Sequence, residues 1–333
     1  MRDEGIDPLI LDAGDLFFST SKLNPTNIKS EKYRAGAILE GYSRIGCDAI
    51  NVGHYEVLNG LSFLKQMETE NDIPFLSANL RDPVTKSLLF QPYRIVEKGA
   101  LKVGIIGVSD KLPDTTKSII ADDYIEAGNS YIDEVSKEAD LVVILVNSDR
   151  KTYSHLPEKF ANADFIVTSG STNMTRPNTP QKEGGPYIYS CGKQGKYLSV
   201  LTINLSDQTE PIIDVSSHEK NIKSIQRRFR KLQKKDPKKP LEELYANQKN
   251  VLKLIEQYRQ DLKESEDVIQ SAINTMEFQT VALNKKIQDN PEILAFVDES
   301  LATCSSLKPK EAKTNEKSKS KPKYKGNHVG HDH

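Results

Sequence analysis

A layered α/β architecture is what this sequence predicts for residues 1–206, and two observations carry it. Short apolar runs without polar alternation recur along that stretch, and helical periodicities lie between them. Strands covered on both faces read as unbroken apolar runs, and helices alternating with strands imply stacked layers. A third observation bounds the layers. After Ser206 the pattern turns helical and strongly charged, which predicts an α-helical hairpin or coiled coil behind the α/β part.

The elements follow in order. Leu9, Ile10 and Leu11 form the first strand, closed by Asp12-Ala13-Gly14-Asp15, and residues 32–46 carry the first helix. Ala49-Ile50-Asn51-Val52 reads as a strand and residues 60–71 as a helix. Residues 103–108, 141–146 and 165–167 are the apolar runs that suit central strands, and residues 186–190 and 198–205 read as closing strands. Ile222, Ile225, Phe229 and Leu232 then share one helix face, before Pro237 and Pro240 interrupt it. A heptad rhythm runs through Leu241, Leu244, Gln248, Val251, Ile255, Tyr258, Leu262, Ser265, Ile269, Ala272 and Met276. The first arm is basic (Lys223, Arg227, Arg228, Arg230, Lys231, Lys234, Lys235) and the second richer in acid, so the two arms fit a hairpin over residues 216–302. A third helical piece is expected over residues 291–301, with Asp289-Asn290 at its start and Pro291 in its first turn. Residues 303–333, rich in Lys, Ser and Pro, are expected to stay disordered. Their closing His328, His331 and His333 are crowded enough to chelate a divalent ion.

Composition excludes several function classes. The 333 residues are 37% hydrophobic with a net charge of −1, so no global field draws the chain to nucleic acid. The basic arm reads first as a solvated face, and specific nucleic-acid binding is not expected. Cys47, Cys191 and Cys304 match no disulfide framework, zinc spacing or haem motif. No apolar run is long enough for a transmembrane helix. No secretory leader precedes residue 8, so the expected location is cytoplasmic, or periplasmic if the natural N-terminus lies upstream. There is no nucleophile elbow, Walker loop or dinucleotide-binding glycine motif.

The segment Asn51-Val52-Gly53-His54-Tyr55-Glu56 resembles the Gly-Asn-His-Glu block of calcineurin-like metallophosphoesterases. Four further blocks resemble the 5′-nucleotidase branch of that family, in family order. They are Leu11-Asp12-Ala13-Gly14-Asp15-Leu16-Phe17, Pro74-Phe75-Leu76-Ser77-Ala78-Asn79-Leu80, the run from Gly99 to Gly107, and the run from Tyr189 to Leu198. The resemblance implies a four-layer sandwich, two central mixed sheets flanked by helices. It also implies a site holding two divalent cations (Mn, Zn, Fe or Co) and a phosphoester or nucleotide ligand. In family terms Asp15 is the bridging carboxylate. His54 stands in the place of the Asn ligand, and Tyr55 in the place of the His that protonates the leaving group. Asn147 and Asn173 fall where further His ligands belong, and they offer only amide oxygens. The family's Asp-X-His motif belongs upstream of Gly14 and is not in this sequence.

Read without the family, Asp15 equally suits a turn that satisfies backbone amides. His54 equally suits an ordinary loop histidine and Tyr55 a packing residue, and His155 and His218 lack ligand-spaced companions. The leading expectation is a degenerate phosphoesterase, a pseudoenzyme working as a binding or scaffolding module. Its coiled coil would then serve a protein partner or self-association. The alternative is an active metal-dependent phosphoester hydrolase with an altered site.

Overall fold

Unbroken apolar strands settle at the centre of the molecule. The computed structural model describes residues 2, 5–110, 112, 117–177, 179 and 181–308. The tail histidines His328, His331 and His333 lie outside the described residues, as does the expected disordered stretch beyond residue 308. β1 (Leu11–Asp12), α1 (Ile28–Ile45), β2 (Ala49–Asn51), α2 (Leu61–Asn71) and β3 (Phe75–Leu76) alternate along the chain, and the strands pair in parallel in the order β1-β2-β3. α1 ends where Gly46 turns left-handed at φ 71° and returns its N–H to Ser43 and Tyr42.

β4 (Leu80–Arg81), β5 (Tyr93–Lys98), β6 (Leu101–Ser109), β7 (Ile120–Ala121), α3 (Tyr124–Val135), β8 (Leu141–Asn147), α4 (Leu156–Lys159), β9 (Phe165–Ser169) and β10 (Tyr187–Ser190) follow. Five of these strands form a mixed sheet in the order β10-β9-β8-β6-β5, parallel except at β5. β4 and β7 pair as a separate two-stranded ladder.

Alternation along each strand builds the layers. Ile50 joins Leu39, Leu64 and Phe75 in the core beneath α1 and α2. Its neighbour Ala49 faces the other way, into the core that holds Leu76, Ile105 and Leu145 between the two sheets. Ile106 and Ile144 point to the far side, onto Ile132 of α3 and Phe160 just past α4. Helices, sheet, sheet and helices therefore stack as the expected sandwich.

The region after Ser206 departs from expectation. β11 (Tyr197–Asn204), β12 (Ile212–Asp214), α5 (Val215–Gln233), α6 (Leu241–Leu244), α7 (Lys249–Ser271), β13 (Asn274–Ala282) and α8 (Pro291–Ser306) complete the described chain. The expected boundary at residue 206, with a separate helical hairpin over residues 216–302, does not survive β13. That strand pairs antiparallel with β11 from Tyr197↔Ala282 to Asn204↔Thr275, and parallel with β12. Met276 is fully buried and Phe278 is 4% exposed, both in the inter-sheet core. The Phe278 and Tyr189 rings lie 4.5 Å apart. Met276 falls on the heptad rhythm by number, but it alternates with exposed Glu277 on a strand. Asn274 fixes the change: its Oδ1 accepts the N–H groups of Ser206 (2.7 Å) and Asp207 (3.0 Å), and its Nδ2 donates to Glu210 O (2.7 Å).

The helices inserted between β12 and β13 pair with each other. Asn221 Nδ2 donates to Ser265 Oγ (3.0 Å), Arg228 to the Tyr258 hydroxyl (2.7 Å), and Phe229 meets Tyr258 edge-on at 6.0 Å. These pairs run in opposite directions along α5 and α7, so α5 of the same chain covers the seam at Ile255, Tyr258 and Ser265. The seam does not begin at Leu241 as expected, because Leu241 and Leu244 belong to the short α6 behind Pro240. α8 returns to α1: Ser30 Oγ donates to Cys304 O (2.8 Å), and the Arg44 guanidinium lies 4.1 Å from the Phe296 ring centre. Asn290 caps α8 by accepting from Glu292 N (3.0 Å) and Ile293 N (3.1 Å). The helix runs on to Ser306, so residues 303–306, expected in the disordered tail, are helical. No helix among the described residues is long and apolar enough to cross a membrane.

The role of β13 gives a direct check. Phe278→Ala should lower stability by about 3–5 kcal/mol in urea unfolding, the usual cost of emptying an aromatic core position. A strand merely hung on the surface would lose less than about 0.5 kcal/mol.

Candidate functional site

The loops leaving the C-terminal ends of β1, β2, β8 and β9 converge at one edge of the sandwich. The first turns sharply: Gly14 has φ 97° and Asp15 φ 65°. A Cβ on Gly14 would sit 2.7 Å from Asn51 O and 2.9 Å from Gly53 N, so only glycine lets the first two loops touch. Asp12 closes this turn from behind, accepting Gly14 N–H (2.8 Å) and the Tyr42 hydroxyl (2.7 Å). Burial raises the Asp12 pKa, while the Tyr42 and Gly14 hydrogen bonds oppose the rise.

Glu56 binds the first two loops together. It is fully buried, and its two oxygens accept the backbone N–H groups of Gly53 (2.8 Å), Asp15 (2.9 Å), Leu16 (2.6 Å) and Phe17 (3.3 Å). Burial, and after it the Asp15 carboxylate, push the Glu56 carboxyl upward, and the backbone donors pull it back. Asp15 in turn accepts the Tyr55 N–H through Oδ1 (3.1 Å). The His54 and Tyr55 rings stand side by side, 5.7 Å between centres, both half-buried.

Asn147 ties in the other two loops. Only 2% exposed at the end of β8, it accepts the His54 N–H through Oδ1 (3.2 Å) and donates Nδ2 to Ser169 Oγ (2.7 Å). Ser169 passes the link on by donating Oγ to Ala13 O (2.6 Å). Tyr153 steadies the same corner from below, its hydroxyl donating to Ser169 O (2.7 Å). Beneath lies Asn51, fully buried, whose Nδ2 donates to Ala13 O (3.1 Å) and Val108 O (3.0 Å). Its Oδ1 has no hydrogen-bond partner among the described residues and fits against Gly107, where a Cβ would come within 2.6 Å.

Asp15, His54, Tyr55 and Asn147 thus share one loop cluster. The Asn173 backbone is held by its own loop and by β10, its N–H donating to Ser171 Oγ (3.0 Å) and its C=O accepting from Ser190 Oγ (2.7 Å). Among the described residues no hydrogen bond joins its carboxamide to Asp15, His54 or Asn147. Glu56 as a hub and Ser169 as a link are absent from the sequence reading.

The donor set can be weighed against a pair of divalent cations. A dinuclear site needs several carboxylates and imidazoles around two centres about 3.5–4 Å apart. Among the described residues, no three His, Cys, Asp or Glu side chains form a group able to hold a metal ion. Asn147 already uses both ends of its carboxamide inside the protein. That leaves the Asp15 carboxylate and the His54 imidazole, which do not fit the two-cation arrangement.

The hub generates a measurable consequence. In Glu56→Gln an NH2 replaces an oxygen that accepts two N–H groups, setting donor against donor. The variant should lose about 2–4 kcal/mol in chemical denaturation. A loss below about 0.5 kcal/mol would show that Glu56 does not hold the loops.

No family model matches the chain. It is 34% identical over 102 residues to a 5′-nucleotidase of Vibrio cholerae, covering 31% of this chain and 18% of that protein. It is 27% identical over 235 residues to a 5′-nucleotidase of Vibrio vulnificus, covering 60% of this chain and 41% of that one. The chain therefore spans less than half the length of these relatives. In structure it matches a calcineurin-like phosphoesterase of Bacillus subtilis with a TM-score of 0.58 at 14% identity, over 92% of this chain and 87% of the other. Sequence and fold together make this chain a relative of the 5′-nucleotidase branch of the calcineurin-like metallophosphoesterases.

Proposed function

We propose that this phosphoesterase-like chain works as a binding or scaffolding module for a phosphoester or nucleotide ligand, with its hydrolytic activity impaired or lost. The observation that carries the reading is the engagement of Asn147. Where the resemblance calls for a metal-binding imidazole, a carboxamide hydrogen-bonds to the His54 N–H and to Ser169 Oγ instead. Tyr55 stands in the place of the proton-donating His. The hydrogen-bond chain from His54 through Asn147 and Ser169 to Ala13 holds the loop ends together without a cation. Asp15 and His54 remain half-buried and able to meet a polar ligand or a single divalent ion.

The purified full chain, incubated with manganese, cobalt or zinc, should turn over a phosphodiester, a phosphomonoester and a nucleoside monophosphate no faster than Asp15→Ala does. Metal-stimulated turnover that Asp15→Ala abolishes would establish the alternative, an active hydrolase with an altered site. Stability reads the same question without activity. Adding EDTA should leave the melting temperature within about 1 °C, whereas removing tightly bound site metals would lower it by several degrees.

A further inference from the structure

α5 has two opposed faces. Ile222, Ile225, Phe229 and Leu232 are buried or half-buried on the side where Phe229 meets Tyr258 of α7. Lys220, Lys223, Arg227, Arg230, Lys231 and Lys234 are all exposed. At 3.6 residues per turn these six fall within an arc of about 100°, opposite the apolar side, and run about 21 Å along the helix. The single acid of α5, Glu219, flanks the arc and pairs with Lys223 at 3.1 Å.

A solvated helix face ordinarily mixes its signs. The outer face of α7 does so, with exposed Lys249, Lys253 and Lys263 among Glu256, Glu264 and Asp267. On α5 each cation has another three or four residues away, a spacing at which like charges repel. The chain does not relieve that repulsion: apart from Glu219, no carboxylate of a described residue forms an ion pair with these six. The basic run continues past the helix through exposed Lys235, Lys238 and Lys239. Residues 216–240 thus hold ten Lys and Arg against Glu219 and Asp236, inside a chain whose net charge is −1.

We propose that the outer face of α5 seats this chain on an anionic phospholipid surface, its Lys and Arg tips among the lipid phosphates. Three observations favour a bilayer over a nucleic acid. The row is straight and narrow, so all six tips can reach one plane at once, whereas a duplex carries its phosphates on a cylinder that falls away from a straight row. Phe229 is the only Phe, Tyr or Trp in α5 and is engaged with Tyr258, so no ring of the helix is left to stack a base. The charge is also divided, basic on this face and net acidic over the rest of the chain, which orients the molecule on a plane. Such a chain feels little pull from afar and is held once the row comes within a Debye length of the surface, about 10 Å in 0.1 M salt. The apolar side of α5 stays on α7 and does not insert, so the attachment is electrostatic and reversible. It does not depend on what the Asp15 loops bind.

The test is co-sedimentation of the full chain with vesicles of phosphatidylcholine, alone or with about one-third phosphatidylglycerol. In about 0.1 M salt the wild type should pellet with the anionic vesicles and not with the neutral ones, and about 0.5 M salt should release it. Arg227→Gln, Arg230→Gln, Lys231→Gln and Lys234→Gln together should weaken the binding about fivefold per cation removed, several hundredfold in all, with circular dichroism intact. Lys249→Gln with Lys253→Gln, on the mixed face of α7, should change it less than about twofold. The Lys-rich stretch beyond residue 308 is present in every variant, so binding owed to it would survive the fourfold substitution and overturn the proposal. Equal binding to neutral vesicles would overturn it, as would an equal loss from the α7 pair. Tighter binding to duplex DNA than to anionic vesicles at the same phosphate concentration would overturn it too, making the row a nucleic-acid contact.

Discussion

The Glu56 carboxylate, shut off from water and held by four backbone N–H groups, is the interaction on which the functional edge of this protein depends. A buried carboxyl is costly unless hydrogen bonds surround it. Here the donors come from two loops about forty residues apart in sequence, so satisfying the carboxylate and positioning Asp15 are one event. The left-handed turn at Gly14 and Asp15 exists to present those N–H groups. Asp12 and Tyr42 brace the turn from the α1 side, and Asn51 braces it from between the sheets.

On this frame the loop ends meet through neutral groups. The link from His54 through Asn147 and Ser169 to Ala13 spans the ends of four strands. It is a chain of ordinary hydrogen bonds, each of modest net worth, and it needs no cation to balance charge. A cluster of carboxylates in the same place would repel itself without metal ions. The fold and these donors are therefore compatible, because the scaffold rests on its three cores and on hydrogen bonds such as those of Glu56.

How much of this was legible in the sequence depended on burial. The strands around Ile105, Ile144 and Ile166 announced themselves, since both faces are covered and no polar residue interrupts them. β5 did not, because its antiparallel edge turns Arg94 and Glu97 to solvent and sets Lys98 against Asp7 and Asp48. β13 was hidden by arithmetic: Ala272 and Met276 continue the heptad numbering of α7, while Asn274 has already stopped the helix through contacts with residues 206–210. Motif order was enough to place Asp15, His54, Tyr55 and Asn147 near one another. The link through Ser169 left no trace, since it reaches the backbone of Ala13, 156 residues away. Asn173 shared the motif order, and its backbone is bonded to Ser171 and Ser190.

The proposed function puts internal hydrogen bonds where the resemblance calls for a cation cage. Anomalous diffraction from crystals soaked in manganese tests it at the site itself. The expected map shows no pair of manganese peaks beside Asp15, with Asn147 still bonded to His54 N–H and Ser169. Two well-occupied peaks about 3.5–4 Å apart, with Asn147 swung out of that link to meet one of them, would contradict the account.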